Sequence, residues 1–241
     1  MSAMRKGPAI RLESLSKHYG SGRSMVVAVA NVSLDISGGT SLAVTGPSGC
    51  GKSTLVALIG GLEVPSSGTA TAGRFRVSSL SDRHRVRWRR SEVGFVFQAD
   101  NLLPFLTAAE NVRLAAELNH ARSQRPVTAT AEDLLRSVGL EGLEDRFPDA
   151  LSGGQRLRVA VARALVHRPS VVIADEPTGS LDASNAHALI DVLLGAQREV
   201  GATLVVVTHD LGVARRMDRM VVLRAGRLID DTGDVSVAAA P

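Results

Sequence analysis

The chain has 241 residues, of which 44% are hydrophobic and 22% charged, and its formal net charge is +4. These values are ordinary for a folded globular protein and exclude a collagen-like or largely disordered chain. The single cysteine, Cys50, excludes an internal disulfide, and no apolar run reaches membrane-spanning length. We therefore expect a protein of a reducing compartment without a signal peptide, whose membrane part, if it needs one, is a separate chain.

Hydrophobic patterning predicts strands and helices that alternate along the chain. The predicted strands cover residues 10–15, 26–36, 41–45, 68–77, 93–97, 171–174, 203–207, 220–224 and 227–230. The predicted helices cover 54–59, 81–90, at least two segments within 107–138 that separate at Arg125-Pro126, then 154–168 and 186–194. This alternation predicts an α/β fold with a mostly parallel sheet, whose ligands bind at the carboxyl ends of the strands.

A phosphate-binding loop is predicted between the third strand and the helix that follows it. Gly46 and Gly51 enclose four residues and precede Lys52 and Ser53, a pattern typical of nucleoside triphosphate sites in this strand–loop–helix setting. Glycines let backbone N–H groups face an anion, and the helix N-terminus adds positive potential. We expect Lys52 to reach the β- and γ-phosphates and Ser53 to bind Mg²⁺. The predicted nucleotide-binding residues here are Gly46, Pro47, Ser48, Gly49, Cys50, Gly51, Lys52, Ser53 and Thr54.

Two carboxylates, Asp175 and Glu176, follow directly after a short, uniformly apolar strand. Such a pair at a strand end is often a solvated turn. In a protein with a phosphate-binding loop, however, the first carboxylate can hold Mg²⁺ opposite the loop, and the second can polarise a water. The pairing with the loop favours the functional interpretation.

Residues 151–155 read Leu-Ser-Gly-Gly-Gln, which resembles the signature motif of the ABC-type ATPases. Further matches follow the family order over nearly the whole chain. They are the aromatic residue that stacks on adenine, the Q-loop glutamine, the D-loop aspartate and the switch histidine, at Tyr19, Gln98, Asp182 and His209. Each match alone is weak, because a lone Gln, His or Tyr is usually core or surface. Together, with correct spacing, they identify the chain as similar to this family.

The resemblance implies a P-loop NTPase fold. Its RecA-like, mostly parallel core would carry an N-terminal antiparallel β part and an inserted α-helical subdomain. We expect one ATP-binding domain over residues 1–241, with the core at about 1–98 and 169–230. The helical subdomain would cover about 99–168, and residues 231–241 would form a tail.

The resemblance also implies a role for each site residue. Within one subunit, Tyr19 would stack on the adenine of ATP, and Mg²⁺ would be held by Ser53, Gln98 and Asp175. The catalytic residues would be Lys52, Gln98, Glu176 and His209. Glu176 would orient or deprotonate the attacking water, and His209 would hold the γ-phosphate.

In this family the signature motif acts on the ATP that the other subunit binds. Two copies of the chain would close over two ATP molecules, since the N-terminus of the signature helix is a second anion site. The residues expected to approach ATP in this way are Ser152, Gly153 and Gly154, and Gln155 and Asp182 are further expected nucleotide-binding residues.

Finer marks point to a group within the family. Residues 94–98, 101–104, 106–108, 110–112 and 174–182 resemble the lipoprotein-release, macrolide-export and cell-division ATPases. That implies a separate permease with a large external domain and a cytoplasmic, peripheral location at the inner face of the membrane. Two stretches depart from the pattern, namely 156–158 and 74–86. Residues 88–90 and 102–105 are candidates for the permease contact, or ordinary core and surface.

The sequence leaves two other functions to consider. A soluble ABC ATPase that acts on nucleic acid or ribosomes would be compatible with the basic charge, but such proteins carry coiled coils, zinc-binding cysteines or two ATPase units. A small-molecule kinase would share only the phosphate-binding loop, and the signature, Glu176 and His209 argue against it. We therefore expect no nucleic-acid partner.

Overall fold

The computed structural model describes residues 7–120 and 130–233. Its strands are β1 Ile10–Tyr19, β2 Val26–Ile36, β3 Ser41–Thr45, β4 Ser67–Ala72, β5 Phe75–Arg76, β6 Val93–Phe97, β7 Val171–Asp175, β8 Thr203–Val207, β9 Arg219–Arg224 and β10 Arg227–Asp231. Its α-helices are α1 Lys52–Ile59, α2 Asp82–Glu92, α3 Ala108–His120, α4 Ala131–Ser137, α5 Gly153–Leu165, α6 Ala183–Val200 and α7 Leu211–Ala214.

The larger sheet has six strands in the order β10-β9-β3-β8-β7-β6, all parallel except β10. Its central strands β3 and β8 are buried along their whole length, as expected for a parallel sheet covered on both faces. In register, Val207 of β8 lies level with Val44 of β3 and Asp175 of β7, and Asp175 lies level with Phe97 of β6. The loops that follow these four strands therefore meet at one edge.

A smaller antiparallel sheet has the order β2-β1-β4-β5. Its inward side chains pack with α1 and with one face of the large sheet in one hydrophobic cluster, which includes Leu12, Val32, Ile173 and Val205. The opposite face of the large sheet packs with helices α3 to α6, and this cluster includes Ala174 and Val206. Successive side chains of β7 and β8 thus point to opposite faces of the sheet, as the alternation of side chains along a strand requires.

Helices α3, α4 and α5 lie in the predicted helical subdomain, and their shared core continues onto the large sheet. The predicted apolar stripe of α5 is buried, with Leu157, Ala160, Val161 and Ala164 all in that core. The limits of the subdomain remain a prediction. In the part of the chain that the structure describes, no helix combines the length and apolarity that crossing a membrane requires.

The structure differs from the predicted elements mainly at their ends. Strand β1 runs to Tyr19, four residues further than predicted. Its pairing with β2 shifts in register several times, so the polar residues at its end do not show the alternation of polar and apolar side chains that predicts a strand. The predicted strand 68–77 divides into β4 and β5 at a turn that contains Gly73, with φ 55°. Strand β10 includes Asp231, the first residue of the predicted tail. Arg125-Pro126 and residues 234–241 lie outside the described residues.

Candidate functional site

The predicted phosphate-binding loop lies between β3 and α1 and depends on glycine at two tight contacts. Gly46 has φ 142°, and a Cβ there would lie 2.0 Å from the carbonyl oxygen of Leu223. Gly51 has φ 105°, and a Cβ there would lie 2.0 Å from the carbonyl oxygen of Ala28. Both the backbone conformation and the close packing exclude any other residue type. The loop therefore rests directly on the backbones of β2 and β9.

The turn between β9 and β10 fastens this loop to β2. The N–H of Gly226 donates to the carbonyl of Cys50 at 2.9 Å, and the carbonyl of Gly226 accepts from the N–H of Ala30 at 2.8 Å. The Cys50 side chain is buried in the hydrophobic cluster beneath the loop. No local sequence pattern predicts this contact, since the turn lies far along the chain from the loop.

Lys52 spans the loop with its side chain. Its Nζ donates to the carbonyl oxygens of Gly46 and Pro47, each at 3.0 Å, and the residue is buried. An ammonium has three donors, so these bonds leave one for an anion. Because α1 begins at Lys52, the helix N-terminus adds positive potential at the same place. The loop is thus built to receive phosphate.

The first carboxylate of the predicted pair lies beside the loop. The hydroxyl of Ser53 donates to Asp175 Oδ1 at 3.2 Å. Burial raises the pKa of Asp175, and the negative charge of Glu176 adds to this, while Ser53 and Lys52 act in the opposite direction. The structure therefore brings two of the three predicted Mg²⁺ ligands together. Because Asp175 is partly buried, its ionised form is less stable there than in water.

Asp175→Asn should raise the melting temperature of the nucleotide-free protein at pH 7 by a few degrees. Because the pKa of Asp175 is raised on folding, the ionised carboxylate destabilises the folded state above that pKa. Asparagine keeps an oxygen for Ser53 without the charge. The gain should shrink as pH falls through the folded-state pKa, where the wild-type carboxyl takes up its proton. Thermal unfolding across pH tests this, with the exposed Asp145→Asn as control; a lower melting temperature at pH 7 would contradict it.

The second carboxylate, Glu176, is turned away from the strand by its backbone. Its φ of 48° is a strained value for a residue with a side chain. The conformation is held on both sides, because its N–H donates to the carbonyl of Val207 at 3.0 Å and its carbonyl accepts from Gly179 at 3.1 Å. Its Oε2 lies 3.1 Å from Nδ1 of His209, which follows β8. The predicted water-activating carboxylate and the switch histidine therefore form a pair.

Gln98 follows β6 at the same edge of the sheet, but in the described part of the chain its amide does not bond to Ser53 or Asp175. A Cβ at Gly179 would be 2.9 Å from Gln98 Nε2, so the amide packs on the turn that follows Glu176. Within residues 7–120 and 130–233, no hydrogen bond joins Gln98 to Ser53 or Asp175. Its role as an Mg²⁺ ligand remains a prediction.

Tyr19 lies at the end of β1 and is exposed, as a base-stacking side chain must be. Its partner in register is Val26 of β2, which is also exposed. The same strand β2 contacts the phosphate-binding loop through Ala28 and Gly51. The hairpin that carries Tyr19 therefore stands beside the loop.

The signature residues form the N-terminus of α5. The Ser152 hydroxyl accepts from the N–H of Gln155 at 3.3 Å, and the Gln155 side chain accepts from the N–H of Ser152 at 2.8 Å, a capping box. At Gly153 and Gly154 a Cβ would meet no atom closer than 3.9 Å, and neither has a positive φ. The chain's own fold therefore requires glycine at neither position.

Asp182 of the predicted D-loop caps helix α6. Its carboxylate accepts from the N–H of Asn185 at 3.0 Å and from the Ser184 hydroxyl at 2.9 Å. These hydrogen bonds, that of the Asn185 backbone first, lower the pKa of Asp182. Leu181 lies next to Gly154, since its Cδ2 is 3.9 Å from the position of a Cβ there. The D-loop and the signature thus lie against each other.

An ion pair that no sequence motif predicts joins the Q-loop to the signature helix. Arg156 Nε lies 2.8 Å from Asp100 Oδ2, and Arg163 donates to the carbonyls of Asp100 and Asn101 at 2.7 and 2.6 Å. Arg156 is one of the residues that depart from the family pattern. The only sequence signal was this unusual arginine, and nothing local named its partner.

The two predicted permease contacts differ in exposure. Trp88 is a core residue, only 3% exposed, and Arg89 donates to the carbonyl of Gly61 at 2.7 Å. Leu102 is also buried, whereas Phe105 is 70% exposed. Of these apolar side chains, only Phe105 is available to a partner.

Comparisons with known proteins agree with this geometry. The family model of the ABC transporters matches residues 29–179. An uncharacterized ABC transporter ATP-binding protein of Mycobacterium tuberculosis is 42% identical over 94% of this chain and 91% of its own length. The lipoprotein-releasing system ATP-binding protein LolD of Bordetella pertussis is 42% identical over 93% of this chain and 97% of its own length.

Among solved structures, the chain is similar to a dimeric ATP-binding cassette, MJ0796, in a post-hydrolysis state bound to ADP and Pi. The TM-score is 0.82 at 36% identity, and the match covers 92% of this chain and 97% of that one. The chain therefore belongs to the ABC transporter ATP-binding proteins and is an ATPase of that family.

Proposed function

We propose that this chain is the ATP-hydrolysing subunit of a membrane complex, in which two copies close around two ATP molecules and drive a separate permease. The work done would be export, extraction of a lipoprotein or peptide, or transmission of force across the membrane. The proposal rests on one observation above all: a capped helix N-terminus with two glycines, Gly153 and Gly154, that its own chain does not need.

Those two glycines suggest a surface built for close approach by something outside the chain. The first-turn N–H groups of a helix have no partners within the helix, and the capping box accounts for only that of Gln155. The remaining N–H groups and the helix dipole favour an anion. The γ-phosphate of an ATP held by a second copy would supply that anion without a side chain in the way.

The donor set beside the loop suits Mg²⁺. The ion prefers oxygen ligands, and the Ser53 hydroxyl and the Asp175 carboxylate lie 3.2 Å apart. When bound, Mg²⁺ would neutralise charge on the β- and γ-phosphates. Ser53 and Asp175 would hold it, with Gln98 as the third residue after a movement of its amide away from Gly179. Binding of the cation would also favour the ionised form of Asp175, which burial disfavours.

In hydrolysis, Glu176 would accept the proton of the attacking water or fix its orientation. The strained backbone of Glu176 and its contact with His209 hold the carboxylate at a defined position. His209 would bind the γ-phosphate through its ring, and Lys52 would place its remaining donor on the β- and γ-phosphate oxygens. Tyr19 would hold the adenine ring by stacking.

We include a permease in the proposal because the chain is similar to LolD, the ATP-binding protein of a lipoprotein-releasing system. The permease would have a large external domain, and binding to it would place this chain at the cytoplasmic face of the membrane. We expect the exposed Phe105, in the segment between the Q-loop and α3, to be a main contact, since aromatic side chains are frequent anchors of protein interfaces.

Purification of the tagged chain from detergent-solubilised membranes tests this function. The wild type should bring down a membrane protein with a large external domain, identified by mass spectrometry. Phe105→Ser should lose that protein. Ile229→Ser removes an exposed apolar side chain elsewhere, on β10, and should retain it. Recovery of ribosomes or nucleic acid in place of a membrane protein would favour a soluble ATPase and contradict the proposal.

A further inference from the structure

The ammonium of Lys17 has three neighbours, one for each of its donors. Its Nζ lies 2.7 Å from Glu63 Oε2 and 2.8 Å from the carbonyl oxygen of Val64. The third neighbour is the ring of Tyr19, whose centroid is 4.9 Å from Nζ. The side chain of Lys17 is only 14% exposed. Lys17 is therefore held in one place, with its charge over one face of the tyrosine ring.

The strand end that carries this pair is fastened to the segment after α1. The N–H of Ser66 donates to the carbonyl of Ser16 at 2.8 Å, and the N–H of His18 donates to the Ser66 hydroxyl at 3.2 Å. Helix α1 begins in the phosphate-binding loop, at Lys52. The residues that hold Lys17 thus follow helix α1, whose N-terminus lies in the phosphate-binding loop. Through Lys17, the Tyr19 ring is linked to the segment that follows this helix.

We propose that Lys17 is a positioning residue for the base of a purine nucleoside di- or triphosphate. It fixes the Tyr19 ring with one face against the ammonium and leaves the opposite face for the base. The inference rests on the proposed role of Tyr19 in stacking on adenine. An aromatic side chain that is ordered before binding loses less conformational entropy when the ligand arrives, so the benefit is seen as affinity for the base.

The placement of the hairpin agrees with this role. Tyr19 lies opposite Val26 in register, and β2 contacts the loop two residues further on, where Ala28 meets Gly51. Lys17 lies two residues before Tyr19 on β1, and although the register with β2 shifts between Lys17 and His18, the ammonium lies 4.9 Å from the centre of the Tyr19 ring. Glu63 anchors the ammonium from the α1 side, which fixes the ring relative to the phosphates and not only relative to its own strand.

Binding of ADP and of pyrophosphate, measured by calorimetry, tests the proposal without turnover. Lys17→Met should weaken ADP binding by about two- to fivefold, the range that loss of side-chain preorganisation supports. Pyrophosphate, which has no base, should bind equally well to both proteins. Tyr19→Leu should weaken ADP binding by more, and adding Lys17→Met to it should have no further effect, because Lys17 acts through the ring. Arg11→Met, which removes an exposed cation from the same strand, is the matched control.

Each of the following results would overturn the inference. Equal losses for ADP and pyrophosphate would mean that Lys17 supports the phosphate-binding loop or the fold. A further loss in the Tyr19→Leu background would mean that Lys17 contacts the nucleotide directly. Tighter ADP binding by Lys17→Met would mean that the ammonium occupies the face that the base needs. An unchanged ADP affinity in Tyr19→Leu would refute the stacking role itself, whereas a failure of Lys17→Met alone would leave that role intact.

Discussion

Replacing Glu176 by glutamine is expected to lower ATP turnover by about a hundredfold or more while ATP binding is retained. Glutamine has nearly the same volume and keeps a hydrogen bond to His209, which lies 3.1 Å from Glu176 Oε2 in the wild type. The backbone bonds that hold the strained residue, to Val207 and Gly179, do not involve the side chain. The substitution therefore removes only the carboxylate charge and its ability to accept a proton from water.

Phosphate release under saturating Mg-ATP and equilibrium binding of ATP measure the two effects separately. Glu110→Gln is the matched control, since it makes the same change at a glutamate whose side chain caps α3 by accepting from the N–H of Thr107. We expect its turnover to equal that of the wild type. Turnover of Glu176→Gln within a few-fold of the wild type would show that Glu176 is not the key carboxylate.

Most of the fold could be predicted because its strongest elements carry local patterns. Strand β6 was predicted with both of its ends, and the apolar stripe of α5 was predicted residue by residue. The errors lie where no local pattern exists. Strand β1 continues to Tyr19 through residues that are polar or half-exposed, and only its pairing with β2 and β4 makes it a strand.

The candidate site divides in the same way. The loop, the carboxylate pair and the signature were recognisable because each is a short motif. The structure then places Ser53 beside Asp175, and Glu176 beside His209. Contacts between distant segments could not be predicted, since each partner alone is an ordinary residue. These contacts are Lys17 with Glu63, Arg156 with Asp100, and Gly226 with Cys50.

The second large effect concerns the surface of the signature helix. In the slow Glu176→Gln background, Ser152→Arg should abolish ATP-dependent dimer formation and leave ATP binding by the single chain unchanged. Ser152 is exposed at the N-terminus of α5, and at Gly153 and Gly154 beside it a Cβ would meet no atom closer than 3.9 Å. A long cationic side chain would fill the space that a second copy's γ-phosphate needs, and we expect the nucleotide contacts around Lys52 to be unaffected.

The substitution also removes a helix cap, which costs about 1 kcal/mol of stability. Thr130→Arg controls for this cost, because Thr130 forms the same kind of capping box with Asp133 at the N-terminus of α4. It places the same side chain at an equivalent position on a helix that carries no signature motif. We expect this control to dimerise like the parent, so that any loss in Ser152→Arg reports on the approach of the second copy.

Light scattering in Mg-ATP, with ATP affinity measured in parallel by equilibrium dialysis, tests the composite site most directly. We predict a dimer for Glu176→Gln and for its combination with Thr130→Arg. For the combination with Ser152→Arg we predict a monomer with unchanged ATP affinity. Loss of ATP binding by Glu176→Gln/Ser152→Arg would place the signature in the nucleotide pocket of its own chain. Dimer formation by that variant would place the signature away from the interface, and either result would contradict the proposed function.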